Sequence, residues 1–298
     1  QATLSMPAEI EPPKDLAEVT QQIVDQGEDV VSAWHNWLLK IPPKIEHFLA
    51  NPTKNRFPNI ILYDQSRVRI KDNLGVGDYY HASWVDSFQQ QRGYILGQTP
   101  FDEVTECDFF RMVATTKPQL IAVIGPTEAN GDRVMRQFWP KSENTLVQQG
   151  EGRLAVQTTE INKVTLSHSS LNLHSLSHSS ATLLHRNFNL SLFLSLHAHP
   201  LLFPSLSPLQ DRESKVYELE LTDKLGRGLW RVPLMHYEAW GDDRRIPDSV
   251  LDFRASMSMV LAREANRRAD DKLKQNEKEI GPIMIVCPSG VHRSGTYV

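Results

Sequence analysis

The spacing of apolar and polar residues along the chain predicts a series of short strands. Apolar and polar positions alternate over Tyr79–Val85 and Tyr94–Gly97, as in a strand with one buried face. The runs Gln119–Ile124 and Pro282–Val286 are almost wholly apolar, which is typical of strands buried on both faces. Two further strands are predicted on either side of a turn, over Val216–Leu221 and Leu229–His236. Together these segments predict a protein with several short strands.

Other segments have the apolar spacing of helices. Residues 30–49 predict packed helices interrupted at Pro42–Pro43, because proline breaks a helix interior. Thr105–Thr115 predicts a helix that turns Phe109, Phe110 and Met112 inward, and Ser249–Asp270 predicts a longer one. Since the predicted strands and helices alternate, we expect an α/β or mixed α+β fold.

Composition narrows the expected partners and compartment. Lys and Arg number 32 and Asp and Glu 36, giving a net charge of −4, so binding of nucleic acid through bulk charge is not expected. The only two cysteines, Cys107 and Cys287, exclude a disulfide framework and a four-cysteine metal site. They fit a reducing compartment, so we expect a cytoplasmic location. No apolar run is long enough to span a membrane, and membrane association is not encoded in this chain.

The segment 164–210 differs in composition from the rest of the chain. It contains 14 Leu, 11 Ser and 6 His, and Arg186 is its only charged residue. One interpretation is a flexible surface insertion, since loops tolerate added length at small cost. The other is a retained intron, because Leu, Ser, His, Phe and Pro all have pyrimidine-rich codons and the flanks are compatible with splice sites. Its histidines have no ordered flanking elements, so they are weak metal ligands under either interpretation.

The strongest chemical signal is the run Cys287-Pro288-Ser289-Gly290-Val291-His292-Arg293-Ser294-Gly295, which follows an apolar strand. A thiol at a strand-to-helix turn lies at the positive end of the helix dipole, which lowers its pKa. The backbone N–H groups of the loop can surround a dianion, and Gly290 permits the tight curve. Arg293 can bind the same anion through two hydrogen bonds, and Ser294 can donate to the thiolate. The run therefore predicts a nucleophilic cysteine in a phosphate-binding loop.

With this loop and six further motifs in family order, the chain resembles the tyrosine-specific protein phosphatases. Those motifs are Lys54-Asn55-Arg56-Phe57, Tyr63–Val68, Asp78–Asp86, Tyr94–Pro100, Asp108–Val113 and Gln137-Phe138-Trp139-Pro140. The resemblance implies one twisted mixed β-sheet flanked by helices. It also implies a catalytic domain at 29–298, interrupted by 164–210 and preceded by a polar lead-in at 1–28.

The resemblance also implies a reaction and the residues that perform it. Cys287 would attack the phosphorus of phosphotyrosine on a protein, Arg293 would bind the phosphate, and Ser294 would ease departure of the thiolate. The acid would be Asp242, counted forward from Trp240, or Asp243, counted back from Pro247; we favour Asp242. No cofactor and no metal are implied.

Substrate binding is implied for a second group of residues. Its members are Ser289, Gly290, Val291 and His292 of the loop, with Phe57 and Asn59 of the recognition segment. Phe57 replaces the family's tyrosine and keeps an aromatic plate, whereas Asn59 replaces an aspartate that binds the substrate backbone.

Three departures from the family keep a second function open. Val286 stands where the family has histidine, Gly241 replaces proline in the acid loop, and Asn59 replaces the aspartate of the recognition segment. These changes leave a phosphotyrosine-binding pseudophosphatase as the alternative to an active phosphatase.

The catalytic domain is expected to be incomplete at its C-terminus, because only residues 294–298 follow Arg293. So short a helix should fray. We therefore expect Cys287 to keep a near-ordinary pKa and this chain to show little turnover.

Overall fold

The computed structural model describes residues 11–13, 15–38, 40, 42–87, 90–129, 131–166, 212–241, 245–275 and 281–298. Its helices are α1 (Leu16–Gln26), α2 (Glu28–Leu38), α3 (Glu46–Ala50), α4 (Glu103–Thr116), α5 (Val250–Gln275) and α6 (Arg293–Tyr297). Its strands are β1 (Arg67–Arg69), β2 (Tyr79–Val85), β3 (Tyr94–Gln98), β4 (Leu120–Ile124), β5 (Glu128–Ala129), β6 (Asp132–Arg133), β7 (Thr145–Gln149), β8 (Leu154–Leu166), β9 (Arg212–Asp223), β10 (Gly228–Tyr237) and β11 (Ile283–Cys287).

The strands form one mixed sheet, which confirms the predicted fold class. Its order is β1-β2-β3-β11-β4-β10-β9-β8-β7, with β5 and β6 as a separate hairpin. The central strands β3, β11, β4 and β10 run parallel, and the outer strands pair antiparallel. Parallel strands end at the same edge of a sheet, so the carboxyl ends of these four strands meet.

Helices cover both faces of the centre, which explains the unbroken apolar runs in β4 and β11. On one face, Ile121 and Val123 pack in a cluster with Phe109 and Phe110 of α4. On the other, Leu120, Ala122 and Ile124 pack with Phe253 of α5. The side chains alternate because the side-chain period of a strand is two residues.

The outer part of the sheet is larger than the sequence predicted. Strands β7 and β8 were not predicted, and β9 begins before the predicted Val216. The lead-in expected at 1–28 contains α1, which begins after Asp15, whose carboxylate accepts a hydrogen bond from Ala17 N at 3.1 Å. Part of the expected lead-in is therefore helical.

The low-complexity segment begins and ends at neighbouring positions of the sheet. Strand β8 continues through residues 164–166, which the sequence had placed in the insert, and pairs with β9 as far as Leu166 and Arg212. Residues 167–211 lie outside the described residues. Lys163 and Lys215, which flank the segment, are direct cross-strand partners.

Candidate active site

The candidate site lies where the carboxyl ends of the parallel strands meet. Cys287 ends β11, and its carbonyl accepts a hydrogen bond from Thr99 N at 2.9 Å, just beyond β3. Gly125 follows β4 and donates to Tyr237 O of β10 at 2.9 Å. These two hydrogen bonds join the chain segments in pairs, β3 with β11 and β4 with β10. The carboxyl ends of parallel strands are where α/β sheets commonly bind ligands.

The predicted phosphate loop turns sharply at Gly290. This residue has φ +77°, and its N–H donates to Cys287 O at 3.1 Å. A Cβ at this position would lie 2.5 Å from Gln98 N, closer than any side chain permits. Glycine is therefore required twice, by the left-handed backbone and by the packing against β3.

Backbone donors of the loop point toward one hydroxyl. The N–H groups of Val291 and His292 lie 3.4 and 3.2 Å from Ser289 Oγ. Consecutive N–H groups that converge in this way form a concave anion-binding surface. The side chains of Val291 and His292 are themselves exposed.

The thiol of Cys287 is buried but stabilised in its ionised form. Burial acts to raise its pKa, whereas hydrogen bonds from Ser294, Ser289 and Gly290 act in the opposite direction and prevail, so the pKa is lowered. The Ser294 Oγ lies 3.2 Å from the Cys287 Sγ, and the Ser289 Oγ lies 3.6 Å from it. The expectation that this thiol keeps its ordinary pKa is thus corrected in direction, because the hydrogen bonds of the loop lower it.

The short final helix is held by packing, contrary to the expectation that it frays. Tyr297 of α6 is 8% exposed, and its ring lies edge-on to Phe253 of α5 with centroids 5.9 Å apart. Its hydroxyl also approaches Met257 Sδ at 3.8 Å. Tertiary contacts replace the stability that so short a helix lacks. The expectation of low turnover stays a prediction.

Arg293 joins the phosphate loop to the acid loop. Its side chain donates to Gly241 O from Nε at 3.0 Å and from Nη2 at 2.9 Å. On the other side it packs against Gly125, where a Cβ would lie 3.2 Å from Arg293 Nη1. Both favoured and alternative acids, Asp242 and Asp243, lie outside the described residues, but Gly241 immediately precedes them.

The recognition segment is held beside the loop by a residue that the sequence reasoning missed. Gln98, 1% exposed, accepts from Arg56 N at 3.1 Å and donates to Lys54 O at 2.7 Å. Its own backbone N is the atom that abuts Gly290. The signal that could have identified Gln98 is an amide side chain at the end of a strand beside the phosphate loop.

The predicted aromatic plate is present and accessible. Phe57 is 37% exposed, and the Arg56 guanidinium lies 5.5 Å from its ring centroid. Asn59 is exposed in the turn that follows. Lys54 is anchored to α4 by an ion pair with Asp108 at 2.8 Å. The segment thus has a fixed backbone and an exposed surface.

Comparison with known proteins decides the family. The family model described as Protein-tyrosine phosphatase matches residues 51–190 and 209–298, well over half of the chain. The chain belongs to the protein-tyrosine phosphatase family. The match begins at residue 51, and its internal gap, residues 191–208, falls inside the low-complexity segment.

The curated relatives are receptor-type and other tyrosine phosphatases. Rat receptor-type tyrosine-protein phosphatase zeta is 26% identical over 254 residues, which cover 83% of this chain and 8% of the relative. Tyrosine-protein phosphatase 99A of Drosophila melanogaster is 25% identical over 259 residues, covering 83% and 15%. Human receptor-type tyrosine-protein phosphatase C is 33% identical over 106 residues, covering 35% and 8%. The chain thus spans only a small fraction of these relatives' length.

The described residues offer neither a membrane span nor a metal site. Within the described ranges, no helix of this chain is long and apolar enough to cross a bilayer. Among those same residues, no group of three or more His, Cys, Asp or Glu side chains is arranged to hold a metal ion.

Proposed function

We propose that this chain hydrolyses phosphotyrosine on proteins through a phosphocysteine intermediate. The observation that carries the proposal is the environment of Cys287. Hydrogen bonds with the hydroxyls of Ser294 and Ser289 lower the pKa of its thiol, although burial acts to raise it. A thiolate is the nucleophilic form of cysteine, and a structural cysteine has no need of two converging hydroxyl donors.

In the first step, the Cys287 thiolate attacks phosphorus in line with the tyrosine oxygen. The new S–P bond forms as the P–O bond to the phenol breaks, and the electron pair of that bond leaves with the phenolic oxygen. Arg293 and the loop N–H groups bind the equatorial phosphoryl oxygens as their charge develops. Water then attacks the phosphocysteine, which returns the thiolate and releases inorganic phosphate.

The departing phenolate needs a proton, and we propose Asp242 as its source. Gly241, the preceding residue, is held against Arg293 through its carbonyl oxygen. The acid loop is thus joined to Arg293 at the residue that precedes Asp242 in the sequence. Asp243 is the alternative donor, because the loop holds one residue more than the family pattern.

A phosphotyrosine-binding pseudophosphatase is the second candidate, favoured by Val286. This side chain is fully buried and apolar, so it offers no hydrogen bond to the thiol where the family has histidine. The lowered pKa of Cys287 speaks for turnover instead. Both candidates require phosphotyrosine binding.

The test combines turnover and binding with the same chain. We expect hydrolysis of an aryl phosphate, lost in Cys287→Ser, with retained binding of a phosphotyrosine peptide in that variant. Asp242→Ala should lower turnover of phosphotyrosine about 10²- to 10⁴-fold, and the matched variant Asp243→Ala should have a small effect. Binding without turnover in the unmodified chain would support the pseudophosphatase, and absence of both would reject the two candidates.

A further inference from the structure

A charged cavity lies at the amino ends of the parallel strands, opposite to the candidate active site. It is found between the end of α4 and the turns that join β7 to β8 and β9 to β10, and residues 71–74, 114–115, 153, 223–224, 227 and 229 line it. Its volume is about 450 Å³, which is within the usual range of small-molecule sites. We call it the distal cavity.

The distal cavity is separate from the phosphate loop. Its lining residue Leu229 lies at the beginning of β10, whereas Tyr237 ends this strand and accepts a hydrogen bond from Gly125, which packs against Arg293. At about 3.3 Å per residue, β10 extends roughly 26 Å from Leu229 to Tyr237. A ligand in the distal cavity would therefore leave the phosphate loop free for a substrate.

The two carboxylates of the distal cavity are already paired with arginines. Asp72 accepts a hydrogen bond from Arg111 Nη2 at 2.8 Å, and the Arg111 side chain is only 2% exposed. Asp223 accepts one from Arg227 Nε at 2.6 Å, and the backbone N–H groups of Leu225 and Arg227 donate to it at 2.9 Å each. Each carboxylate therefore neutralises an arginine of its own and leaves the remaining cations of the cavity uncompensated.

Three further cations line the distal cavity, namely Lys71, Arg153 and Lys224. Both lysines are exposed, and within the described part of the chain neither forms an ion pair. Arg153 donates from Nε to Gly150 O at 3.0 Å, which fixes one edge of its guanidinium, and its Nη2 lies 3.5 Å from Glu151, which is 89% exposed. So exposed and long an ion pair contributes little. The local charge therefore favours an anion with more than one negative charge.

The floor of the distal cavity is apolar. Leu74, Ala114 and Leu229 are half-buried there and pack against the main core cluster. An inorganic ion would leave these carbon surfaces in water, whereas the carbon skeleton of an organic ligand would cover them. A phosphoryl group has three acceptor oxygens and up to two negative charges, so it can bind a lysine and an arginine together. Cations above an apolar floor therefore fit an organic molecule that carries phosphoryl groups.

We propose that the distal cavity binds an organic phosphate with two or more phosphoryl groups. The phosphoryl groups contact Lys71, Arg153 and Lys224, and the carbon skeleton covers the apolar floor. Soluble organic phosphates and the headgroup of a phosphorylated inositol lipid share this chemistry. The site is additional to the proposed function and does not depend on turnover.

The test is isothermal titration calorimetry on the full chain with the substitution Cys287→Ser, which prevents turnover of a phosphate ester. The soluble probes are pyrophosphate and ADP, and the lipid probe is a phosphatidylcholine vesicle with or without phosphatidylinositol 4,5-bisphosphate. We expect ADP to bind several-fold more tightly than pyrophosphate, because its carbon skeleton reaches the apolar floor. Binding should weaken with salt, because the Debye length falls to about 3 Å at 1 M. A saturating phosphotyrosine peptide should leave it unchanged.

Variants of the distal cavity show whether it is the binding site. Lys71→Gln with Lys224→Gln should weaken binding roughly 3- to 30-fold, as expected for the loss of two partly exposed ion pairs. Lys141→Gln with Lys215→Gln is the matched control, because it removes the same charge from two exposed lysines outside the cavity. Both double variants should melt at the temperature of the parent, since they change only exposed side chains.

The outcomes separate the two sources of the ligand and the ways in which the proposal fails. Weaker binding in the first double variant alone supports the proposal: with ADP as the bound probe the source is a soluble organic phosphate, and with the inositol lipid vesicles alone it is a lipid headgroup. The proposal is overturned if both double variants lose affinity equally, if the phosphotyrosine peptide displaces the probe, or if pyrophosphate binds as tightly as ADP. It is also overturned if no phosphate probe binds, whether or not a polyglutamate peptide does.

Discussion

Deletion of residues 164–210 should leave a folded domain. Lys163 and Lys215 are direct cross-strand partners in β8 and β9, and such partners lie only about 4.5–5.5 Å apart between Cα atoms. Joining Lys163 to Asp211 leaves four residues, 211–214, to connect them. Four-residue loops are common in antiparallel hairpins. The deletion therefore replaces a connection of 51 residues with an ordinary hairpin loop.

The expected change in stability follows from two opposing contributions. The connection between the paired lysines shrinks from 51 residues to four, which lowers the closure cost by about 2 kcal/mol on the (3/2)RT ln n scale. Against this, three cross-strand pairs beyond Lys163 are lost, at about 0.2–1 kcal/mol each. The two nearly cancel, and a net change near 1 kcal/mol shifts the Tm of a domain of about 250 residues by only about 2–4 °C.

The assay compares thermal unfolding of the full chain and the deleted chain by calorimetry. A deletion of equal length shifted to residues 154–200 is the control, because it removes all of β8 with the buried Leu154 and Val156. We expect the first deletion to melt within about 5 °C of the parent and the control to be unfolded. A deleted chain that melts far lower or is insoluble would refute the reasoning. Sequencing of the message tests the origin of the segment: a spliced form joining Lys163 to Asp211 indicates a retained intron.

Three further predictions concern single side chains. Ser294→Ala should raise the pKa of the Cys287 thiol, since it removes the 3.2 Å hydroxyl contact, and the acidic limb of kcat/KM against pH should move to higher pH. Gln98→Leu should raise KM for phosphotyrosine peptides more than KM for a small aryl phosphate, because Gln98 holds the recognition segment; equal effects on both substrates would contradict this. The pKa of His236 is lowered, first by burial, so the folded state binds fewer protons there than the unfolded state, and stability should fall as pH drops below about 6.5; His236→Gln should flatten the plot of Tm against pH in that window.

The centre of the fold follows from local sequence patterns, and its outer part does not. The strands β2, β3, β4 and β11 and the helix α4 lie within two or three residues of their predicted bounds, because their patterns are strong and bounded by turns. Strand β7 escaped prediction because it has only five residues, four of them exposed. Strand β8 is longer, but it pairs with β9 across the low-complexity segment. That pairing depends on contacts distant in sequence, for which period alone gives no signal.

In the candidate site, too, the local motif could be predicted and the contacts between distant segments could not. The loop from Cys287 to Arg293 could be predicted because all of its chemistry lies within a few consecutive residues. The contact of Arg293 with Gly241 joins residues far apart in the chain, as does the contact of Gln98 with Lys54. Sequence reasoning can propose that such segments belong to one site, but the donors and acceptors that join them depend on the sheet order.

The substitution at Val286 illustrates why a single departure from a family pattern is weak evidence of lost activity. A histidine before the cysteine is one way to favour the thiolate, and Val286 instead fills the apolar core beneath the loop. Charge on sulfur can also be stabilised by donors on its other side, and here the hydroxyls of Ser289 and Ser294 approach from the loop and from α6. The Ser294 donor acts only if α6 is held in place, which Tyr297 achieves by packing on α5. Ionisation of Cys287 in this chain is therefore favoured by hydrogen bonds of the loop and of the final helix, and a valine at position 286 leaves those hydrogen bonds in place.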